Sequence, residues 1–208
     1  MNRPPTSNVS VDALTLRFDR AARQVQLALV RRDADPYVGH LALPGVTLWE
    51  GERLAEAAER AVRSKLGLGV RGQGQLTVFD EPHRDPRGAT LSVVCWAVAD
   101  DGEATGPVEW HSFDDVPPLA FDHHQMVDAG RPLLADRLWR NKALTRALTG
   151  PEFLVSAAAA LTESLTGVAP DRGNLNRRLS SIGGLRVSSR KVVAGRGRPG
   201  TLWEWIDA

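Results

Sequence analysis

Apolar and polar positions alternate from Val9 to Phe18 (VSVDALTLRF) and again from Val25 to Val30 (VQLALV). A period of two predicts strands, here joined by a turn around Asp19 and Arg20. The period then changes. Leu54, Ala57, Ala58, Ala61, Val62 and Leu66 recur at helical spacing, which places an amphipathic helix over Leu54–Leu66 with Gly67 to stop it. Gly74–Phe79 and the apolar run Leu91–Val98 predict two more strands, separated by the turn-rich loop EPHRDPRGAT, and Val108–Phe113 predicts a short last one. DDVPPLAFDHHQMV leads into a helix, and Leu133, Leu134, Leu138, Leu144 and Leu148 mark another over Arg131–Leu148. Strands mixed with helices, without internal repeats, make this first part an α/β or α+β domain.

Thr149-Gly150-Pro151 breaks the pattern. A helix over Phe153–Thr166, a turn at GVAPD and a short helix over Arg172–Ile182 follow. After Gly183-Gly184, LRVSSRKVVA and TLWEWI read as two strands around the tip GRGRPG. Helix, turn, helix and a hairpin with a basic, glycine-rich tip is the layout of a winged helix-turn-helix, whose second helix enters the major groove while the wing touches backbone or minor groove.

Charge sharpens that reading. The net charge is only +1, yet residues 1–150 hold 18 Lys/Arg against 20 Asp/Glu and residues 151–208 hold 8 against 5. All eight basic residues of the second part fall between Arg172 and Arg198, a stretch without a single acid. The basic run covers the second helix and the wing and omits the first helix, as a DNA-binding surface requires. The rest of the composition, 42% hydrophobic and 25% charged, is that of a soluble protein. No apolar run is long enough to span a membrane, and MNRPPTSNVS reads as a short disordered lead-in rather than a signal peptide. The single cysteine, Cys95, excludes an internal disulfide or a cysteine-rich zinc site and is expected in the core. The expected location is the cytoplasm.

LPGVTLWEGERLAEAAERAVRSKLGLG, Leu43 to Gly69, resembles the Nudix box, G-x5-E-x7-R-E-U-x-E-E-x-G-U with U aliphatic. Aligned without gaps, the leading glycine falls on Val46 beside Gly45, the first glutamate on Glu52, the arginine on Arg60, the aliphatic position on Val62 and the closing pair on Gly67-Leu68. The three other glutamates fall on Ala61, Ser64 and Lys65. In Nudix hydrolases those acids hold magnesium or manganese at a diphosphate, because hard cations need oxygen ligands. Ala61 offers no ligand, Ser64 a poor neutral one, and Lys65 puts a positive charge where a cation should sit, so the resemblance implies no catalytic residues, no metal and no cofactor. It implies a scaffold role for Glu52 and Arg60.

The strand–turn–strand before the box, the arginine pair after the second strand, the DPRG loop and LAFDHHQMV resemble one subgroup, the Nudix-related transcriptional regulators of NAD metabolism. In these a Nudix domain, often inactive, precedes a winged helix-turn-helix. DRGNLNRRL resembles the start of their recognition helix at Asp171, Asn174, Arg177 and Arg178, and departs from it at Gly173, Leu175 and Asn176. GRPGTLWEW resembles their terminal wing. The implied architecture is a Nudix-like α/β/α sandwich with a mixed sheet over residues 1–148, disordered over 1–8, and a winged helix-turn-helix over 149–208. The implied function is a DNA-binding regulator, in the form of a repressor, that senses ADP-ribose or a related NAD-derived nucleotide and meets a palindromic operator as a homodimer.

For the ligand the candidates are Arg31, Arg32, Lys65, Arg84 and Arg87 as diphosphate partners, with Asp122 and His123 beside them; Phe18 and Phe79 are aromatic candidates for the adenine. For DNA they are Asn174, Asn176, Arg177 and Arg178 at base edges, since asparagine suits adenine and arginine suits guanine. Arg190, Lys191, Arg196 and Arg198 are the phosphate contacts of the wing. The competing expectation is a divergent Nudix hydrolase drawing metal ligands from Glu56, Glu59, Asp80 or Asp122.

Overall fold

The computed structural model describes residues 6–190 and 200–206. Its elements run β1 (Asn8–Asp19), β2 (Gln24–Arg31), β3 (Leu41–Ala42), β4 (Gly45–Thr47), α1 (Leu54–Leu66), β5 (Val70–Phe79), β6 (Thr90–Ala99), β7 (Glu109–Ser112), α2 (His123–Arg137) and α3 (Lys142–Thr149). Then follow β8 (Glu152–Leu154), α4 (Val155–Thr166), α5 (Arg172–Ser180), β9 (Leu185–Val187) and β10 (Leu202–Trp205). The chain is already in β1 at Asn8, inside the expected lead-in. Among the described residues no helix is long and apolar enough to cross a membrane.

The chain divides into two compact units: residues up to Arg17 with Gln26–Gly130, and Phe18–Val25 with Arg131 onward. The first unit is built on a mixed sheet in the order β3-β2-β1-β6-β5, with β4 on β1 and β7 on β2. β1 and β6 run parallel in continuous register from Asn8↔Thr90 to Leu16↔Val98, while β5, β4 and β7 pair antiparallel. β1 is buried without interruption from Val11 to Leu16, the mark of a strand covered on both faces. Its buried run includes one acid, Asp12.

α1 has the bounds its apolar spacing predicts. Ala57 and Ala58 pack with Val11, Val93 and Cys95; Val62 and Leu66 pack with Ala13, Ala28, Val30 and Ala97. Burial pushes the Cys95 thiol up to about 11, as befits an inert core residue. Gly67 ends the helix at φ 67°, and a Cβ there would lie 2.0 Å from Thr105 Oγ1, so both backbone and space require glycine.

The expected single helix over Arg131–Leu148 is instead two. α2 begins at His123 and runs through Pro132 to Arg137; Trp139 then takes φ 68°, and the Asn141 side chain caps α3 by accepting from Leu144 N at 3.0 Å. A tryptophan in the left-handed region cannot continue a helix. Its strain is held by its N–H donating to Thr145 Oγ1 and its indole N–H to Thr162 Oγ1.

In the second unit Phe153, expected to open a helix, lies in β8. It pairs with Trp203 in a three-stranded antiparallel sheet ordered β8-β10-β9. α4 therefore starts at Val155. Phe153, Leu161, Leu165, Leu175, Leu179, Leu202 and Trp203 are buried. The β1–β2 tip belongs here: Arg20 donates to Thr149 O, Arg23 to Ser156 O, and Val25 N to Ser164 Oγ.

Candidate functional site

Asp12 anchors a polar cluster within the first unit. Opposite it across the β1–β4 pair stands Gly45, where a Cβ would lie 2.0 Å from Asp12 Oδ1. The glycine of the Leu-Pro-Gly turn is therefore what admits the carboxylate. Ser92 Oγ on β6 donates to Asp12 Oδ2 at 2.5 Å, and Ser10 Oγ reaches it at 3.3 Å.

Two cationic or titratable groups face Asp12. Arg84, buried, lies 3.9 Å from Asp12 but spends its guanidinium on Asp122, with Nε to Oδ2 at 2.8 Å and NH2 to Oδ1 at 2.7 Å. His123 Nε2 is 3.6 Å from Asp12 Oδ1, and its Nδ1 accepts from Leu43 N at 3.0 Å. An accepting Nδ1 leaves the ring proton on Nε2, toward the carboxylate. Burial lowers the His123 pKa, outweighing the pull of Asp12 and Asp122. Ala120 N also donates to Leu41 O, so the segment leading into α2 is laced to the Leu-Pro-Gly turn.

Phe121, half-buried and at φ 55°, stands beside this cluster, its ring against that of His123. The guanidinium carbons of Arg32 and Arg87 lie 4.8 and 5.4 Å from its ring centroid. Tyr37 meets it edge-on at 4.8 Å and His123 tilts against it at 5.3 Å. Arg87 is charge-paired with Asp85, whose carboxyl it holds below the ordinary range. Arg32 instead donates to two carbonyls, Pro36 O at 2.7 Å and Ala34 O at 3.0 Å. Burial, then the charge of Arg87, lower the Arg32 pKa. Two guanidiniums over one ring, with one of them bonded to neutral oxygens, make a site suited to an anion carrying an aromatic group.

The sequence candidates divide accordingly. Arg32, Arg84, Arg87, Asp122 and His123 come together. Arg31, the preceding residue on β2, points elsewhere, bonding Gly39 O and Glu109 Oε1 at 2.7 Å each. Lys65 is exposed on the last turn of α1, Ser64 is exposed, and Ala61 is fully buried. Phe18 and Phe79 are half-buried strand residues. The ring that gathers the arginines is Phe121. Phe121, Tyr37, Asp12 and Asp85 were missed, though signals existed: a lone acid in an apolar strand, the sole tyrosine in a Pro-Gly loop, and a phenylalanine directly before Asp122-His123.

The alternative metal ligands do not converge. Glu56 caps α1 by accepting from Arg53 N, Glu59 pairs with Arg63, and Asp122 is held by Arg84. Among the described residues no group of three or more His, Cys, Asp or Glu is placed to hold a metal ion. Glu52 and Arg60 form the brace expected of them. Arg60 bonds both Glu52 oxygens at 2.7 and 2.8 Å and Thr47 O at 2.8 Å; Glu52 also accepts from Trp49 N. The bond from Arg60 lowers the Glu52 pKa.

In the second unit, α5 is capped by Asp171, which accepts from Asn174 N at 2.8 Å. Leu175 and Leu179 face the core, while Arg172, Asn174, Arg177 and Arg178 are exposed and Asn176 is half-buried. Arg190 NH1 bonds Glu152 Oε2 at 2.6 Å. Lys191, Arg196 and Arg198 lie outside the described residues.

No protein-family model matches the chain. Over 97% of its length it is 25% identical to the ADPR responsive transcriptional repressor NtrR of Acinetobacter baylyi, covering 83% of that protein. Over 107 residues, 49% of the chain, it is 32% identical to an ADP-ribose pyrophosphatase of Methanocaldococcus jannaschii; this match spans 63% of that enzyme, just under two thirds of its length. Among solved structures, Shewanella oneidensis NrtR superposes with a TM-score of 0.79 at 26% identity, covering 95% of this chain and 93% of that one. Its complex with a 27mer DNA gives the same TM-score at 25% identity. Its NUDIX domain with ADP ribose gives 0.57 at 27% identity, over 64% of this chain and 94% of that one. The mixed-sheet unit is thus a Nudix-like α/β fold.

Proposed function

We propose, from the premise that this chain belongs with the Nudix-related transcriptional regulators it resembles along nearly its whole length, that it is a DNA-binding repressor of NAD biosynthesis or salvage genes responsive to ADP-ribose. The unit of residues up to Arg17 with Gln26–Gly130, rather than the whole of residues 1–148, is the sensing domain; within the second unit, residues 149–208 form a winged helix-turn-helix, with α5 as recognition helix and β9–β10 as wing. The protein acts as a homodimer on a palindromic operator.

The observation that carries the sensing half is the Arg32–Arg87–Phe121–Tyr37 cluster beside a Leu-Pro-Gly turn whose box lacks its acids. Arg32 and Arg87 take the diphosphate, since guanidinium forks match phosphate oxygens. Phe121 and Tyr37 take the adenine. Asp122, His123 and Arg84 hold this surface from beneath. Arg31 and Lys65 stand apart from it. Without the acids at Ala61, Ser64 and Lys65, the ligand is bound and not cut, so it reports its concentration. It regulates by binding the DNA-competent and DNA-incompetent states with different affinity, and the coupling is reciprocal. On the DNA side Arg177 and Asn174 face the groove with Arg178 at its edge, and Arg190 with Lys191, Arg196 and Arg198 meets phosphates.

The similarity to an ADP-ribose pyrophosphatase favours a second reading, slow hydrolysis of ADP-ribose or another nucleoside diphosphate derivative. Incubating the full chain with ADP-ribose and magnesium, followed by chromatography, separates the two. Saturable binding with the ligand recovered intact supports the sensor. Steady release of AMP, lost in Glu56→Gln or Asp122→Asn, supports the hydrolase.

A further inference from the structure

The exposed side of α5 is not a uniform basic surface. Leu175 and Leu179 set its buried direction, and at 100° per residue Arg177 lies opposite them. Asn174, three residues earlier on the same face, accepts a hydrogen bond through Oδ1 from Arg177 NH2. Asn174 N is in turn tied to Asp171 Oδ1, which fixes the backbone of that first turn. One turn before Arg177 is Gly173, exposed, where an added Cβ would meet only Asp171 Oδ1, at 3.3 Å. Nothing in the protein's own packing calls for a glycine there, and glycine in a helix costs about 1 kcal/mol relative to alanine. The centre of the exposed face is therefore an arginine held by an asparagine, with open space beside it.

This arrangement assigns different work to two residues that otherwise look equivalent. An asparagine reads adenine by accepting from N6–H with its carbonyl oxygen while donating to N7. Asn174 Oδ1 already accepts from Arg177, which uses one of its two lone pairs and turns the amide toward the arginine rather than toward a base edge. Arg177 spends one of its five N–H donors on Asn174 and keeps enough for a two-pronged contact to guanine O6 and N7. Arg178, exposed at the edge of the same face, has no side-chain partner among the described residues and suits a phosphate.

We propose that Arg177 is the principal base-reading residue, directed at a guanine, and that Asn174 is its positioning residue rather than an independent reader of adenine. Gly173 leaves room for the duplex beside it. The inference rests on the DNA-binding reading above and adds its specificity.

The test starts with selection of preferred duplexes from a random library by the full chain. Affinities of the parent, Asn174→Ala, Arg177→Ala and the double variant are then measured at one fixed salt concentration. Arg177→Ala is expected to weaken the selected duplex roughly 10- to 100-fold, the worth of one two-pronged arginine–guanine contact. Asn174→Ala is expected to weaken it less, and the double variant no more than Arg177→Ala alone, because Asn174 acts through Arg177. Replacing the contacted guanine by 7-deazaguanine, which lacks the N7 acceptor, is expected to weaken the parent and leave Arg177→Ala unaffected. Losses that multiply in the double variant would overturn the assignment, as would an Arg177→Ala protein with parental affinity and guanine preference. If the selection yields no preferred duplex, the DNA-binding reading itself is overturned, and this assignment with it.

Discussion

Arg84 is where a ligand contact and a structural brace can be told apart. Its side chain is 4% exposed, and that of its partner Asp122 is 11% exposed. In Arg84→Met the volume is roughly kept and the charge is lost. Asp122 then loses two charge-assisted bonds of 2.7 and 2.8 Å, and Asp12 loses a cation 3.9 Å away. Removing one member of a buried ion pair costs about 3–5 kcal/mol, because the other charge is left buried and unpaired. At about 2–4 °C per kcal/mol for a chain of this size, the melting temperature falls by roughly 6–20 °C. Arg84→Met combined with Asp122→Asn removes the stranded charge and is expected to recover about half of the loss, since a neutral pair costs far less to bury. The assay is thermal and urea unfolding at pH 7.5 without ligand. An Arg84→Met protein within about 1 kcal/mol of the parent, the range of an ordinary surface substitution, would refute the bracing role. If that protein had also lost ADP-ribose binding, Arg84 would be a direct ligand contact.

Three other perturbations bear on the same site. Gly45→Ala places a methyl 2.0 Å from the buried Asp12 carboxylate, so a loss of about 1–3 kcal/mol is expected by urea unfolding; parental stability would contradict the close fit. Burial holds the His123 pKa below 6.5, so near and below that pH the unfolded chain binds a proton the folded chain refuses. His123 thus contributes stability above about pH 6.5 that is lost as pH falls, with a slope approaching about 1.4 kcal/mol per pH unit. In His123→Gln this share of the slope is expected to vanish between pH 7.5 and 5.5, and an unchanged slope would count against a neutral buried ring. Phe121→Ala is expected to weaken ADP-ribose binding by calorimetry roughly 5- to 100-fold, the worth of one stacked base. Unaltered affinity would move the base elsewhere.

What the sequence revealed depended on how local the cause was. α1 was legible to the residue because its apolar spacing and the glycine after it lie within one window. The break between α2 and α3 was not, since it rests on Trp139 in a left-handed conformation supported by Thr145 and Thr162, and Thr162 is distant in the chain. Asn141 did carry a visible capping signal. Phe153 became a strand because Trp203, fifty residues on, pairs with it. At the site, charge type picked out Arg32 and Arg87 but gave no hint that Arg31 turns to Glu109 or that Arg84 is consumed by Asp122. Those outcomes depend on strand alternation and on a loop meeting the start of α2. The gathering ring, Phe121, is indistinct within LAFDHHQMV, because nothing local distinguishes a ring under two guanidiniums from a core phenylalanine.

The most direct test of the sensor account is fluorescence anisotropy of the full chain on duplex DNA from upstream of its own gene and of NAD biosynthesis and salvage genes, at one stated salt concentration, with and without ADP-ribose. Fixed salt matters because phosphate contacts make affinity salt-dependent. The expected result is saturable, sequence-selective binding whose affinity ADP-ribose shifts in the parent and fails to shift in Arg32→Ala. Selective binding indifferent to ADP-ribose would contradict the effector assignment, and no selective binding to any of these duplexes would contradict the regulator itself.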